Sequence, residues 1–269
     1  MKRVLVILVT HNGMHWLPRC LGSIAAADVY VVDNDSTDGS ADWIQSNYPG
    51  VKLVRSADNL GFTLANNLGF EYAIQKGYNY VYLLNQDAWL DEETIEKLVT
   101  AADADPHFAV LSPLQMTDGF KELDRLFKKD KTPPAAHWLM RVEAVKKVGK
   151  FSEMFPYYGQ DDDWCNRAKY HGWKVGIVPE ARAVHDRAQR KESKERIIDR
   201  NYRVGSLIRL CDINRPLWER FLFVILFTIV KSIKYLSFQP VKHFFGICRQ
   251  LPEVRTARMA ARKEGMGFV

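Results

Sequence analysis

The chain has 269 residues, 47% hydrophobic and 26% charged, which suits one large domain or a domain with an appendage and allows a sizeable core. There is no internal repeat or low-complexity stretch, and four scattered cysteines (Cys20, Cys165, Cys211, Cys248) without a Cys-x-x-Cys pair point to free thiols in a reducing cytoplasm. Charge divides the chain: residues 1–185 hold 20 Lys+Arg and 24 Asp+Glu, residues 186–269 hold 18 and 8, so the formal +6 comes from the tail, as in a nucleic-acid binder or an enzyme docked on an anionic membrane.

In chain order, residues 4–9 form a continuous apolar run. Thr10-His11-Asn12 follows it with no small-residue cleavage site, so the run reads as a first core strand rather than a signal peptide. Further apolar runs of strand length lie at 29–32, 51–54, 80–84 and 108–111. Helical stretches are predicted at about 15–25, 40–47, 63–76 and 92–103. Solid apolar strands alternating with helices predict an α/β protein with a mostly parallel central sheet covered on both faces. Ligands of such sheets sit beyond the carboxyl ends of the strands.

Four strand ends are rich in small polar or acidic groups: Thr10-His11-Asn12-Gly13, Asp33 to Ser40, Asp58-Asn59-Leu60-Gly61-Phe62, and Asn85-Gln86-Asp87. Each alone could be a turn or a helix cap. Asp33 could accept from a base N–H or a ribose hydroxyl, although Asp38-Gly39 would serve a turn equally well. Asp87 could hold a divalent cation of the Mg/Mn type, which takes oxygen ligands from one or two carboxylates and substrate phosphates. It could equally cap the next helix.

Residues 115–134, with lysines from 121 to 131 and Pro133-Pro134, read as a loop over the site. Tyr157-Tyr158-Gly159-Gln160-Asp161-Asp162-Asp163-Trp164 then leads into a helix through Arg167. Three adjacent carboxylates at a helix start are eased by its dipole, or one of them serves as a general base. Tyr157, Tyr158 and Trp164 offer flat apolar surfaces on which a sugar ring could stack, and Trp138 and Arg141, with the 115–134 loop, would shape the substrate pocket. Residues 173–178 read as a strand, followed by Pro179 and His185. In the tail, residues 221–230 are nearly all apolar and are flanked by Lys and Arg. That is too short to span a bilayer, which takes about 20 residues. It suits a helix lying in the membrane interface or one packed on the core.

Taken as an ordered series, these segments resemble the family 2 glycosyltransferases of GT-A fold, in their rhamnosyl- and galactofuranosyl-transferase-like branch. Val9-Thr10-His11-Asn12 is similar to the family's first strand end, with His11 replacing an aromatic. Val32-Asp33-Asn34-Asp35-Ser36-Thr37-Asp38-Gly39-Ser40 is similar to its nucleotide segment, and Asn59-Leu60-Gly61-Phe62 with Asn66-Asn67-Leu68-Gly69 to its Asn-x-Gly stretch. Leu84-Asn85-Gln86-Asp87 resembles a variant of the Asp-x-Asp motif with Asn85 at the first acid. Gln160-Asp161-Asp162-Asp163-Trp164 and Arg167 resemble the base segment, with Gln160 in place of Glu.

The resemblance covers about residues 3–186. It implies a GT-A catalytic domain over 1–186, its donor half about 1–90 and its acceptor half about 91–186, and a basic helical appendage over 187–269. It implies nucleotide contacts from Thr10, Asn12, Asp33, Asn34, Asn59, Gly61 and Asn67. Asp87 and His185 would hold Mg2+ or Mn2+, with Asn85 a weaker ligand. Asp161 would be the base, with Asp163 as the alternative, and Trp138, Tyr158 and Trp164 would face the acceptor. The implied reaction transfers a sugar with inversion from a UDP- or dTDP-type donor to a glycan or lipid-linked acceptor in bacterial surface polysaccharide synthesis. The implied location is the cytoplasm, peripheral to the inner face of the cytoplasmic membrane, without nucleic acid. A sugar nucleotidyltransferase shares the fold but would need a Gly-rich, basic loop after the first strand. A non-catalytic nucleotide or nucleic-acid binder would leave Asp87, Asp161 and His185 without a role.

Overall fold

A computed structural model describes residues 2–25, 27–117, 132–186, 193, 197 and 200–267. Lys121 to Lys131 of the expected loop lie outside the described residues. β1 (Val4–Thr10), β2 (Asp28–Asn34), β3 (Lys52–Ser56) and β4 (Tyr80–Asn85) form the first half of the sheet, all parallel, in the order β3-β2-β1-β4. They alternate with α1 (Leu17–Gly22), α2 (Ser40–Asn47) and α3 (Gly61–Gln75).

Strand periodicity explains why β1 is solidly apolar, because successive side chains enter opposite layers. Leu5 and Ile7 join Phe70, Val145 and Trp164 on one side. Val6 and Leu8 join Leu17, Ile44 and Leu98 on the other. Helix α3 lies so close to β1 that a Cβ on Gly69 would stand 2.7 Å from Ile7, so only glycine admits this approach.

The second half of the sheet is mixed. β5 (Ala88–Leu90) follows β4 directly, then α4 (Thr94–Ala104) and β6 (Phe108–Met116). β7 (His137–Arg141) runs antiparallel between β4 and β6, and α5 (Val142–Val148) follows it. Helix α6 (Gln160–Tyr170) carries the acidic triplet, and β8 (Lys174–His185) completes the order β7-β6-β8-β5. β5, β7 and α5 are absent from the sequence expectations above, and β8 is much longer than residues 173–178. Pro179 does not end that strand. The register beside β6 jumps from Val178 to Arg182, a bulge that takes up the proline and lets the strand continue to His185.

After a π-helical turn at Arg200–Val204 come α7 (Gly205–Cys211), α8 (Leu217–Tyr235), α9 (Gln239–Arg249) and α10 (Leu251–Ala261). These build their own apolar cluster, which takes in Phe155 from the segment before α6. Hydrogen bonds from Asn214 to the Asn166 carbonyl and between His171 and the Ala261 carbonyl tie the cluster to the body.

Candidate active site

The carboxyl ends of β1, β2 and β4 frame a pocket of about 320 Å³ lined by His11, Trp16, Asn34, Asn59, Asp87 and Tyr157, among others. Parallel register aligns its rim, with Thr10 opposite Asp33 and Val9 opposite Asn85. Gln86 fastens β1 to β4. Its Oε1 accepts from the Thr10 hydroxyl and the His11 N–H, both at 2.8 Å, and its Nε2 donates to the His11 carbonyl. The Thr10 hydroxyl is thereby engaged and wholly buried. Asn12, at φ 49, accepts from the Thr37 N–H at 2.8 Å and so shapes the loop after β2.

Asp33 and Asp38 divide the work that the sequence left shared between them. Asp38 receives the Ser40 and Met14 N–H groups, both at 3.0 Å, which satisfies the turn. Asp33 Oδ1 accepts from the Ser36 N–H at 3.1 Å. Asp33 Oδ2 is buried with no hydrogen-bond partner among the described residues. A buried orphan acceptor is uncommon and suits a donor that arrives with a ligand, such as a base N–H or a ribose hydroxyl.

Asn34 donates to Asn59 Oδ1 and to the Gly61 carbonyl, and accepts from the Leu60 N–H. This joins β2 to the start of α3. Gly61 has φ +70, and a Cβ there would stand 3.2 Å from the Pro156 carbonyl and the Tyr157 ring. Glycine thus seats Tyr157 over the pocket mouth.

Asp87 sits in the β4–β5 turn and is 5% exposed. Because Ala88 pairs with His185, β8 brings His185 Nε2 to 3.4 Å from Asp87 Oδ1. An oxygen and a nitrogen at that spacing can be neighbouring ligands of one ion at ligand distances of about 2.1 Å, the remaining positions going to water and phosphate oxygens. The described residues contain no group of three His, Cys, Asp or Glu that could hold a metal by itself. Asn85 lines the pocket beside them.

Sequence reasoning missed His137. It lies under His185, ring edge to ring face at 6.4 Å, with Tyr82 OH 2.9 Å from Nδ1 and the Val184 carbonyl 3.0 Å from Nε2. Burial pushes its pKa down to about 3, so the ring is neutral, Nε2 donating to the carbonyl and Nδ1 accepting from the phenol. Trp16, also missed, lines the pocket and donates to Asp186 at 3.3 Å. His137 arrives only through the pairing of β7 with β4, and Trp16 lies in the turn that joins β1 to α1.

The acidic triplet separates into unlike roles. Asp163 is 5% exposed and pairs with Arg167 at 2.9 Å, one turn along α6. Arg167 also donates to the Val148 and Lys150 carbonyls. Burial raises the Asp163 carboxyl, against the pull of that guanidinium. Burial together with the neighbouring Asp162 pushes the Asp161 pKa up to about 6. The backbone of Ala135 hydrogen-bonds the Asp161 carboxyl, while the adjacent Ala136 carbonyl accepts from the Asn85 N–H at 3.2 Å. That two-residue turn links the head of α6 to the β4 rim.

Four expectations are corrected by burial or by position. Trp138 and Trp164 are 0% exposed, pack on each other, and donate to the Pro133 and Gly149 carbonyls, so neither can stack on an acceptor. Arg141 lies at the far end of β4, bonded to Tyr80 and to the Phe108 and Ala102 carbonyls. Asn67 clasps the Phe151 backbone through both its N–H and C=O and faces the core, not a nucleotide. Asn67→Ala should therefore lower stability by about 1–3 kcal/mol for each buried group left unmade without changing donor KM, as denaturation and steady-state kinetics would read. Tyr158 is exposed, as an acceptor platform requires.

Residues 5–126 match the model of glycosyl transferase family 2. An N-acetylglucosaminyl-diphospho-decaprenol L-rhamnosyltransferase of Mycobacterium tuberculosis is 27% identical, over 68% of this chain and 76% of its own length. The fold is similar to that of S. aureus TarS 1–349 in complex with UDP-GlcNAc (TM-score 0.65, 15% identity, 97% of this chain and 89% of that one). It is also similar to the mannosyltransferase PcManGT from Pyrobaculum calidifontis in complex with GDP-Man and Mn2+ (TM-score 0.60, 19% identity, 97% and 74%). Against a longer TarS structure the chain spans 42% of the neighbour.

Proposed function

We propose that this protein, whose residues 5–126 match the glycosyl transferase family 2 model and whose fold is of GT-A type, transfers a sugar, with inversion, from a nucleoside-diphosphate sugar to a hydroxyl of a glycan or lipid-linked acceptor in cell-surface polysaccharide synthesis. The observation that carries the proposal is the rim itself. Asp87 lines the pocket and has His185 at 3.4 Å, and Asp33, whose buried Oδ2 has no partner among the described residues, ends β2 next to the pocket residue Asn34.

Asp33 accepts from the base or ribose, and Asn34, Asn59 and Gly61 hold the pocket wall that the nucleotide meets. Asp161 takes the proton of the acceptor hydroxyl. The freed oxygen forms its bond to the anomeric carbon on the face opposite the diphosphate, and the carbon–oxygen bond to the diphosphate breaks. Asp87 and His185, with Asn85 beside them, would hold Mg2+ or Mn2+, which neutralises the leaving diphosphate when bound. The TarS neighbour in complex with UDP-GlcNAc supports a nucleotide-sugar donor, and the related rhamnosyltransferase supports a lipid-linked acceptor; we take the donor to be of UDP or dTDP type and place the reaction on the inner face of the cytoplasmic membrane, with peripheral attachment.

The test is release of nucleoside diphosphate from a panel of donor sugars, with and without acceptor. No release from any donor sinks the proposal. Chelation, and separately Asp87→Ala, should lower transfer by about 100-fold or more, since a metal at a developing anion supplies several kcal/mol. Undiminished transfer after both would remove the metal.

A further inference from the structure

The hairpin of α8 and α9 leaves a long apolar surface open to solvent. Trp218, Leu222, Leu226, Ile229, Ile233 and Leu236 recur at steps of three and four, so they share one helix face. Each is more than half exposed, Leu236 at 93%. Phe238 in the turn and Phe245 on α9 are 81% and 61% exposed. The other face of α8 is engaged: Val224 is buried, Phe221 and Phe227 pack in the C-terminal cluster, and the Thr228 hydroxyl bonds Tyr202 at 2.6 Å. Helix α8 is therefore apolar on two sides, and the protein covers only one.

Resting on the reading that the acceptor is lipid-linked, we propose that this hairpin lies flat on an anionic membrane surface. The α8 stripe would be sunk in the headgroup boundary, with the turn at Leu236 and Phe238 inserted. A spanning arrangement does not fit, because one face of α8 is fastened to the protein and no described helix is long and apolar enough to cross a membrane.

Charge selects the occupant. Residues 215–249 carry six Lys and Arg against the single acid Glu219. Arg215, Lys234, Lys242 and Arg249 are exposed around the apolar face, and Lys231 lies with its ammonium over the Phe227 and Tyr235 rings. Long basic side chains beside a sunk apolar stripe reach anionic headgroups while their stems stay in the boundary. A second copy of this chain fits less well, since a two-fold interface would set the same positive excess against itself.

The placement also serves the site. The cluster beneath the hairpin includes Phe155, and Val204 and Ile208 press on Gly159, the residue before α6. A membrane-held hairpin thus sits behind the segment carrying Tyr158 and Asp161. A lipid-linked acceptor can then keep its tail in the bilayer while its sugar hydroxyl reaches the base.

The experiment uses the full chain, flotation with phosphatidylcholine vesicles and with vesicles enriched in phosphatidylglycerol, and nucleoside diphosphate release with a water-soluble acceptor. Wild type should bind the phosphatidylglycerol vesicles, less so at high salt. Both Leu222→Glu/Leu226→Glu and Lys234→Glu/Lys242→Glu should lose that binding by at least about tenfold with release unchanged. The lysine pair is a surface change, so it decides the matter if the leucine pair folds poorly. Wild type that ignores anionic vesicles, or lysine variants that bind as wild type does, overturns the proposal. So does a wild-type dimer that ignores vesicles and is split by Leu222→Glu/Leu226→Glu. Failure of the transferase reading would appear separately, as absent release in every protein including wild type.

Discussion

Asp161→Asn is expected to lower the turnover number by about 10²–10⁴-fold, the contribution of a positioned general base, while donor KM stays unchanged because the amide keeps the shape of the site. The wild-type rate should climb as pH rises through about 6, since only the carboxylate can take the acceptor's proton and burial beside Asp162 holds its pKa there. The variant should lack that limb. Stability should move the other way. A carboxyl whose pKa is raised on folding binds more protons in the native than in the unfolded state between its ordinary value and about 6. Native stability therefore falls as pH rises across that window and stays lower above it. Asparagine removes the penalty, so Asp161→Asn should melt no lower than wild type at neutral pH. Near-normal turnover in the variant would remove Asp161 from the mechanism.

Asp163→Asn should do the reverse. It leaves the Arg167 guanidinium without its carboxylate in a site where Asp163 is 5% and Arg167 1% exposed. Breaking a buried ion pair by changing one partner costs about 3–5 kcal/mol, roughly 10 °C in melting temperature for a chain of this size. The effect should spread to the α5–α6 connection, because Arg167 also holds the Val148 and Lys150 carbonyls. The fraction that remains folded should turn over normally. Thermal denaturation paired with turnover per folded molecule separates the two aspartates. A normal melting temperature with lost turnover would make Asp163 the base and Asp161 the bystander.

This division was half legible. Asp163 and Arg167 stand four apart, a spacing that pairs charges along a helix, so an ion pair could have been read from the sequence. Which of three adjacent acids faces the core could not. Each residue turns the helix by about 100°, and the inward direction depends on what packs against α6. The aromatics failed for a related reason. Trp138 and Trp164 lie near the acidic segment in the sequence, but a Trp can be a sugar platform or a core residue with its N–H satisfied, and the Pro133 and Gly149 carbonyls that satisfy them come from other segments.

The donor half was open to reading because its cause is local. Strands buried on both faces must be continuous apolar runs, and polar groups at their ends mark the rim; hence β1 to β4, Asp33 and Asp87 were all placed in advance. The antiparallel strand β7, the short β5 and the bulged extension of β8 past Pro179 were not, since they are specified by pairing partners distant in the chain. His185 reaches Asp87, and His137 lies under both, only because β8 pairs with β5 and β7 with β4. The sequence alone thus determined the layered α/β class, the rim and the identity of its acids. Tertiary structure decided which acid is committed to Arg167, that His137 lies beneath the expected Asp87 and His185, and which face of α8 stays bare, because those outcomes follow from contacts between segments that no local pattern encodes.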